Sequence, residues 1–427
     1  MPKANEEVSG QERGLFSLLG PGLVTGASDD DPSGIATYSQ VGAQFGYGML
    51  WTMLFSYPLM AGIQETSADI GRITGRGIAG NLVRLYPRWV AGLLVMSLVV
   101  ANVINLGADI GAMGSAVALL VGGPPIVFAA ILAMVSLLLQ VFVPYHKYVS
   151  FLKWLTLALF AYVGTVLVVG VNWGQAIRAT ILPAFTFNAA YITALVAVLG
   201  TTISPYLFFW QASVEVEEEE GKEEDKPLIE APEQAPFQLK RIRVDTYFGM
   251  AFSNLVAYFI IVAVAATLHA KGVTDIQSAE QAAQALKPVA GPMAFFLFTI
   301  GIVGTGLLAI PVLAGSAAYA VGEVFGWRVG LERSFVQARN FYAVLGASII
   351  IGLGLNFAHI NPIKALFWSA VINGVAAGPI MVMTMLMASN KRVMGELCVG
   401  RRQKFLGWAA TAVMILASIA MFVFWGK

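Results

Sequence analysis

Three consecutive aspartates stand inside an apolar part of the sequence. Residues 26–37 are GASDDDPSGIAT, in which Asp29, Asp30 and Asp31 are followed directly by Pro32. A charged side chain at the centre of a bilayer costs roughly 3 kcal/mol on insertion scales. Neighbouring carboxylates also repel one another. Such a run is tolerable only where the carboxylates face water or a cation, so it indicates an ion-binding position.

A second apolar stretch is interrupted by a proline in the same way. Pro205 follows GTTIS, and Pro32 follows SDDD. Proline removes a backbone donor and clashes with the carbonyl four residues back, so both helices should break. A break supplies a cavity and free carbonyls. We expect Asp31 to be the ion ligand, while Asp29 and Asp30 either line a water-filled vestibule or cap the second half-helix.

The composition is that of a polytopic membrane protein with one domain. Of the 427 residues, 57% are hydrophobic and 12% are charged, against about 25% charged in soluble domains. The single cysteine, Cys398, excludes an internal disulfide framework, and the polar N-terminus does not resemble a signal peptide. The net charge of +1 gives no indication of a nucleic-acid partner. We expect neither an enzyme nor a cofactor nor an obligate protein partner, because no catalytic, nucleotide-binding or His/Cys motif stands out.

The elements that must position the aspartates are membrane helices, each of which needs about 20 mostly apolar residues. Eleven segments qualify, so the predicted fold is all-α, with eleven transmembrane helices in a lipid bilayer. The segments are roughly 15–43, 47–71, 89–119, 125–143, 151–171, 188–215, 246–269, 289–322, 340–357, 363–389 and 404–425.

The distribution of basic residues predicts the orientation of these helices in a cell membrane. With a cytoplasmic N-terminus and an outside C-terminus, most of the 26 lysines and arginines fall in cytoplasmic segments, as the positive-inside rule requires. The basic residues left outside are Arg178, Lys271, Lys287, Lys364 and Lys427.

The two interrupted helices open two blocks of five helices. The first block covers about 15–171, the second about 188–389, and an extra helix follows at about 404–425. Because five is odd, the blocks must have inverted orientations. Interrupted helices at matching positions of two halves indicate a transporter site near the bilayer midplane. Residue-level similarity between the halves is not evident, so the predicted symmetry depends on the breaks and the helix count.

An acidic run, EVEEEEGKEEDKPLIEAPEQAP, follows the second break. It predicts a cytoplasmic loop at about 216–240. Charge-rich segments of this kind are typically solvated and partly disordered. A cation-attracting or regulatory role is the alternative.

Further polar side chains fall inside predicted spans. Asn102, Asn105 and Asp109 share one helix face by their spacing. Asp109 is a candidate for the pathway or for the hydration shell of an ion. Asn373 either faces the same site or makes a hydrogen bond between helices.

Two acidic residues lie near the cytoplasmic end of the second predicted helix. Glu65 and Asp69 are four residues apart. They either pair with Arg72 or Arg76 at the interface or line a water-filled exit path. Glu65 is therefore a second candidate for the pathway.

The sequence resembles the Nramp family of divalent-metal transporters. DPSGIATYSQVGAQFGYGMLW is similar to that family's helix 1 stretch with its Asp-Pro-Gly-Asn hallmark, and LGTTISPYLFFWQASV to its helix 6 stretch with Met-Pro-His. INPIKAL, before the tenth predicted helix, fits as well. The resemblance implies a LeuT-like fold with two inverted five-helix repeats plus one extra helix.

The resemblance also implies a metal site. Its Asp ligand falls on Asp31, and its carbonyl ligands fall on Ser28 and Thr201. The family's Asn ligand falls on Gly34, and its Met ligand on Ser204.

These departures remove the soft thioether and one direct ligand, which leaves a roomier, oxygen-only site. Mg²⁺ prefers oxygen ligands and gives up its waters reluctantly. The pattern resembles the Nramp-related magnesium transporters (NRMT), which carry Mg²⁺ and Mn²⁺. We therefore expect uptake of both ions in largely hydrated form.

The same comparison bears on proton coupling. The family's helix 6 histidine, which has been tied to coupling, falls on Tyr206. None of His146, His269 and His359 lies in the middle of a span. We expect transport that is not coupled to protons.

Three alternatives stay open. The first is a proton-coupled Mn²⁺/Fe²⁺ transporter of the ordinary Nramp type, which the loss of the methionine disfavours. An organic-solute symporter is disfavoured because three aspartates would repel a substrate carboxylate. A structural or receptor protein without flux has no reason to carry two broken helices.

Overall fold

A computed structural model describes residues 21–144, 147, 154–358 and 360–425. Within these residues the regular structure is helical and contains no strands. Short helices of fewer than eight residues are left unnumbered. The numbered helices are α1 (Pro21–Asp29), α2 (Pro32–Phe45), α3 (Trp51–Thr74), α4 (Ile78–Leu85), α5 (Arg88–Val121), α6 (Pro125–Phe142), α7 (Phe160–Val168), α8 (Trp173–Ile181), α9 (Ala189–Thr202), α10 (Pro205–Glu220), α11 (Ala235–Thr267), α12 (Ala294–Phe325), α13 (Arg339–Leu355), α14 (Pro362–Ala388) and α15 (Arg401–Phe424).

Both predicted helix breaks are confirmed. Between α1 and α2 the chain is extended at Asp31, with φ −66° and ψ 170°, and Pro32 begins the next helix. Between α9 and α10 the chain leaves the helical region at Ile203 and Ser204, and Pro205 begins α10. A proline suits the first helical position because its missing N–H has no partner there in any case.

Eight helical segments of the described chain are long and apolar enough to cross a membrane. Three predicted spans are not among them. The first is split at Asp31, α3 carries Glu65, Asp69 and Arg72, and the predicted fifth span is described only in part. The predicted starts at residues 15 and 151 lie outside the described residues, so the count of eleven stays a prediction.

Small residues bring the broken helices close to their neighbours. A Cβ built on Gly26 of α1 would lie 2.3 Å from the carbonyl oxygen of Gly249 in α11. A Cβ built on Gly200 of α9 would lie 2.0 Å from the carbonyl oxygen of Ala370 in α14. Neither position has room for a side chain, and this close packing holds the ends of both breaks in place.

The acidic segment has narrower bounds than the loop predicted at 216–240, and many of its side chains are exposed. Its first part continues α10 as far as Glu220, and α11 begins at Ala235. Between them, the backbone N–H groups of Leu228 and Ile229 donate to the carbonyls of Arg72 and Ile73 at 3.1 and 3.0 Å.

Arginines from other elements contact this segment. Glu215 accepts from Arg241 at 2.5 Å, Asp225 lies 2.9 Å from Arg72, and Glu220 lies 2.6 Å from Arg333. Arg72 and Arg333 are remote along the chain, so sequence reasoning did not pair them with the acidic run.

Candidate metal-binding site

Asp31 lies at the centre of the first break and is almost completely buried, with 1% of its surface exposed. Its Oδ1 accepts hydrogen bonds from the backbone N–H of Gly34 at 2.7 Å and from the Ser33 hydroxyl at 2.8 Å. It is therefore the N-cap of α2. The N-terminus of α2 also places a partial positive charge beside this carboxyl group.

Helix α5 closes one side of this carboxylate. The Asn105 Nδ2 donates to Asp31 Oδ2 at 2.8 Å and lies 3.4 Å from Asp109 Oδ2. The predicted face of α5 thus brings Asn105 and Asp109 to the break. Asn102, one turn earlier, bonds instead to the Leu313 carbonyl and the Ser316 hydroxyl of α12 at 2.9 and 2.8 Å.

Asp29 and Asp30 face a different helix. The Ser253 hydroxyl of α11 lies 2.5 Å from Asp29 Oδ2 and 3.3 Å from Asp30 Oδ1. Both carboxylates are buried. The expectation that they cap α2 is wrong, because Asp31 takes that position. They do not line an open vestibule in this conformation either, since α11 packs against them.

The Gly34 position leaves little space across the break. A Cβ built there would lie 3.0 Å from the Thr201 Oγ1 and 3.3 Å from the carbonyl oxygen of Asp29. The two broken helices therefore meet at Gly34 and Thr201, as the resemblance implies. Ser28, the other expected carbonyl ligand, is buried in the last turn of α1.

Ser204 does not offer its hydroxyl to the site in this conformation. The hydroxyl donates back to the carbonyls of Gly200 and Thr201, each at 2.8 Å. Tyr206 is buried near the acidic cluster and interacts electrostatically with Asp31, Asp29 and Asp109. Tyr206 thus occupies the expected neighbourhood of the ion.

Glu65 and Asp69 have partners other than those predicted. Glu65 accepts from Arg243 of α11 at 2.7 Å, and Asp69 accepts from Gln403 of α15 at 2.6 Å. Pairing with Arg72 or Arg76 is therefore the wrong interpretation, since Arg72 serves Asp225 and Glu219. The role of Glu65 in a pathway stays a prediction.

Asn373 and the histidines have less definite relations to the site. Asn373 of α14 is buried, and its Oδ1 has no hydrogen-bond partner.

The His269 Nδ1 contacts the Ala43 carbonyl at 2.7 Å in the turn after α11. The predicted position of His269 at a helix end is therefore confirmed. His146 and His359 lie outside the described residues.

Two residues near the break were missed by sequence reasoning. Ser253 carries no signal as a lone serine in an apolar helix. Met113 of α5 lies beside the break, since a Cβ built on Gly306 would be 2.4 Å from its Sδ and 3.3 Å from Pro32 Cγ. Its distance of four residues from Asp109 could have indicated this, because such residues share a helix face.

The electrostatics of the site are unbalanced. No lysine or arginine of the described chain pairs with the four carboxylates of Asp29, Asp30, Asp31 and Asp109, and neutral donors alone contact them. Within the same residues, no three His, Cys, Asp or Glu side chains converge to hold a metal ion. The arrangement can attract a cation, but it offers few direct protein ligands to it.

Comparison with solved structures gives the class of fold. The chain resembles a manganese transporter of Eremococcus coleocola, solved with an aromatic bis-isothiourea compound. The TM-score is 0.78 at 15% identity, covering 99% of this chain and 88% of that one. It also resembles the inward-facing form of Mhp1, with a TM-score of 0.52 at 13% identity over 96% of this chain and 90% of that one. The fold and the broken helices define a LeuT-like membrane protein, as predicted.

Sequence comparison narrows the class to one family. The chain is 25% identical over 413 residues to the divalent metal cation transporter MntH of Deinococcus radiodurans, covering 94% of this chain and 88% of the relative. The family described as "Nramp: Natural resistance-associated macrophage protein-like" matches residues 22–424. The chain belongs to the Nramp family.

Proposed function

We propose that this protein is a secondary transporter that takes up Mg²⁺ and Mn²⁺ as largely hydrated ions without coupling to protons. It would then belong with the Nramp-related magnesium transporters. The observation that carries the proposal is Asp31, a buried carboxylate in a helix break that faces neutral donors only. A cation from outside the chain would complete its electrostatics.

The hydrogen bonds of Asp31 favour a hydrated ion. A carboxylate has roughly four lone-pair sites, and three donors already approach Asp31. Gly34 adds no ligand atom, and the Ser204 hydroxyl is turned away. An ion with so few direct ligands must keep several waters. Mg²⁺ does this readily, since it dehydrates reluctantly and is usually held by one or two carboxylates.

The similar proteins support the class of substrate. The D. radiodurans relative is described as a divalent metal cation transporter, and the E. coleocola protein as a manganese transporter. We transfer only the divalent cation to this chain. Mn²⁺ also accepts carboxylate, carbonyl and water ligands, so it should share the route with Mg²⁺.

The route would follow alternating access between two inverted five-helix repeats. Discontinuous helices near the midplane, such as α1/α2 and α9/α10, form the binding sites of such transporters. We place the N-terminus in the cytoplasm and the C-terminus outside, in accordance with the distribution of basic residues.

The test is an uptake assay in proteoliposomes that records metal entry and internal pH in the same experiment. Mg²⁺ and Mn²⁺ entry without acidification is the expected result. Mn²⁺ entry with acidification and without Mg²⁺ entry would overturn the proposal.

That second result would identify a proton-coupled Mn²⁺ transporter instead. The thioether of Met113 beside the break favours this candidate. A sulfur ligand would suit Mn²⁺ better than Mg²⁺ and would replace the methionine lost at Ser204.

A further inference from the structure

Helix α5 presents two unsatisfied acceptors beside Asp31. Asn105 and Asp109 are both fully buried, at 0% exposure. The Oδ1 atoms of both side chains have no hydrogen-bond partner. Leaving a buried acceptor unsatisfied costs free energy, typically about 1–3 kcal/mol. The Oδ1 of Asn102, one turn earlier, has no partner either, but that side chain bonds to α12. The acceptors of Asn105 and Asp109 are the ones that a donor bound beside Asp31 would reach.

The orientation of the Asn105 amide is set by its neighbours. Its NH₂ group faces the oxygens of Asp31 and Asp109, at 2.8 and 3.4 Å. The Asn105 carbonyl oxygen must then point elsewhere. Asp109 also approaches the backbone N–H of Ser33 at the start of α2, so both α5 side chains lie against the break.

We propose that Asn105 is a positioning residue that fixes the Asp31 carboxylate, and that Asn105 and Asp109 accept hydrogen bonds from the water shell of the ion. This inference rests on the proposed transport of a hydrated divalent cation. Waters bound to a divalent cation are strong donors, so they match acceptors that have no donor in the protein. The α5 side chains would thus recognise the hydrated form of the ion.

The experiment compares two buried amides on the same helix. Asn105→Ala removes the proposed contact. Asn105→Leu also removes it but keeps most of the side-chain volume. Asn102→Ala is the matched control, because Asn102 is equally buried and its Oδ1 also has no partner, but its NH₂ group bonds to α12 and not to Asp31. Mg²⁺ uptake is measured as KM and maximal rate in proteoliposomes. Inhibition by cobalt(III) hexaammine, an exchange-inert mimic of hydrated Mg²⁺, is measured alongside.

We expect both Asn105 variants to raise KM by roughly 10–100-fold, the usual range for residues that orient a metal ligand. The maximal rate should change much less, and inhibition by the hexaammine should weaken in parallel. Asn102→Ala should lower the melting temperature without changing KM. Equal KM values for the Asn105 and Asn102 variants, or an unchanged hexaammine inhibition in the Asn105 variants, would overturn the inference.

If the proposed function is wrong, the result differs already in the wild type, which then takes up Mn²⁺ but not Mg²⁺. The role of Asn105 is then judged on KM for Mn²⁺ with the same variants and the same criteria.

Discussion

Two groups of carboxylates in this molecule have opposite kinds of partner. In the acidic run, the buried Glu215 and the half-buried Asp225 have arginine partners at 2.5 and 2.9 Å. At the first helix break, the buried Asp29 and Asp31 have serine, asparagine and backbone partners instead. The first group has cationic partners within the chain, and the second has none among the described residues.

The difference separates structure from function. A buried carboxylate without a counter-ion is costly, because desolvation disfavours its charge. An arginine at the break would remove that cost, and it would also occupy the place of a cation. The missing counter-ion therefore indicates a site that must be filled and emptied, while the arginine-paired group indicates a fixed support.

The largest effect should come from removing the charge at the break. Asp31→Asn keeps an N-cap side chain, since asparagine caps as well as aspartate. It should weaken ion binding by roughly 2–5 kcal/mol, as loss of one partner of a buried charge contact does. Uptake should fall to background while the melting temperature stays close to that of the wild type. Asp69→Asn, which changes a buried carboxylate outside the break, is the control and should retain ion binding, a readout that a place in the exit path would not alter.

Breaking the arginine-paired group should have the reverse effect. Arg241→Met leaves Glu215 buried without its partner and should cost about 3–5 kcal/mol of stability. Unfolding of the solubilised protein measures this loss, and KM for the metal should not change. Lys222→Met, which breaks the exposed pair with Glu218, should cost less than about 1 kcal/mol. A changed KM in Arg241→Met would show that the two groups are not separate in function.

A smaller effect should follow from removing a neutral donor. Ser253→Ala leaves Asp29 and Asp30 without their shared hydroxyl and should cost about 1–3 kcal/mol, measured by unfolding. Ser348→Ala serves as control, because that hydroxyl bonds only within its own helix, to Val344. Equal stability of the two variants would mean that Ser253 does not hold α1 to α11.

The smallest effect is expected from Met113→Leu. Swaps between leucine and methionine usually cost less than about 1.5 kcal/mol. A site of oxygen ligands and water should keep its ratio of Mg²⁺ to Mn²⁺ uptake in this variant. A fall in Mn²⁺ uptake alone would instead make Met113 a soft ligand and favour the second candidate function.

Local chemistry made both breaks, and the place of Asp31 at the first one, predictable from the sequence. Pro32 and Pro205 follow turn-forming residues and located both interruptions, whereas Pro58, Pro311 and Pro379 lie inside continuous helices. Asp31 followed from its place directly before Pro32. Gly34 and Thr201, which the family resemblance brought together, do meet across the break.

Contacts between distant parts of the chain were not predictable in this way. The acidic run was expected to be a solvated loop, because two of its partners, Arg72 and Arg333, are far away in the sequence and no local pattern pairs Glu215 with Arg241. Likewise, nothing in the pattern around Ser253 indicates its bonds to Asp29 and Asp30. The orientation of the Ser204 hydroxyl depends on the local backbone, which residue type alone does not determine.

The most direct test of the account is calorimetric binding of Mg²⁺ to the purified protein, comparing wild type, Asp31→Asn and Asp69→Asn. The account predicts one saturable site in the wild type and in Asp69→Asn, and its loss in a folded Asp31→Asn protein. Binding to Asp31→Asn with wild-type affinity would contradict the claim that the unpaired carboxylate at the break holds the transported ion.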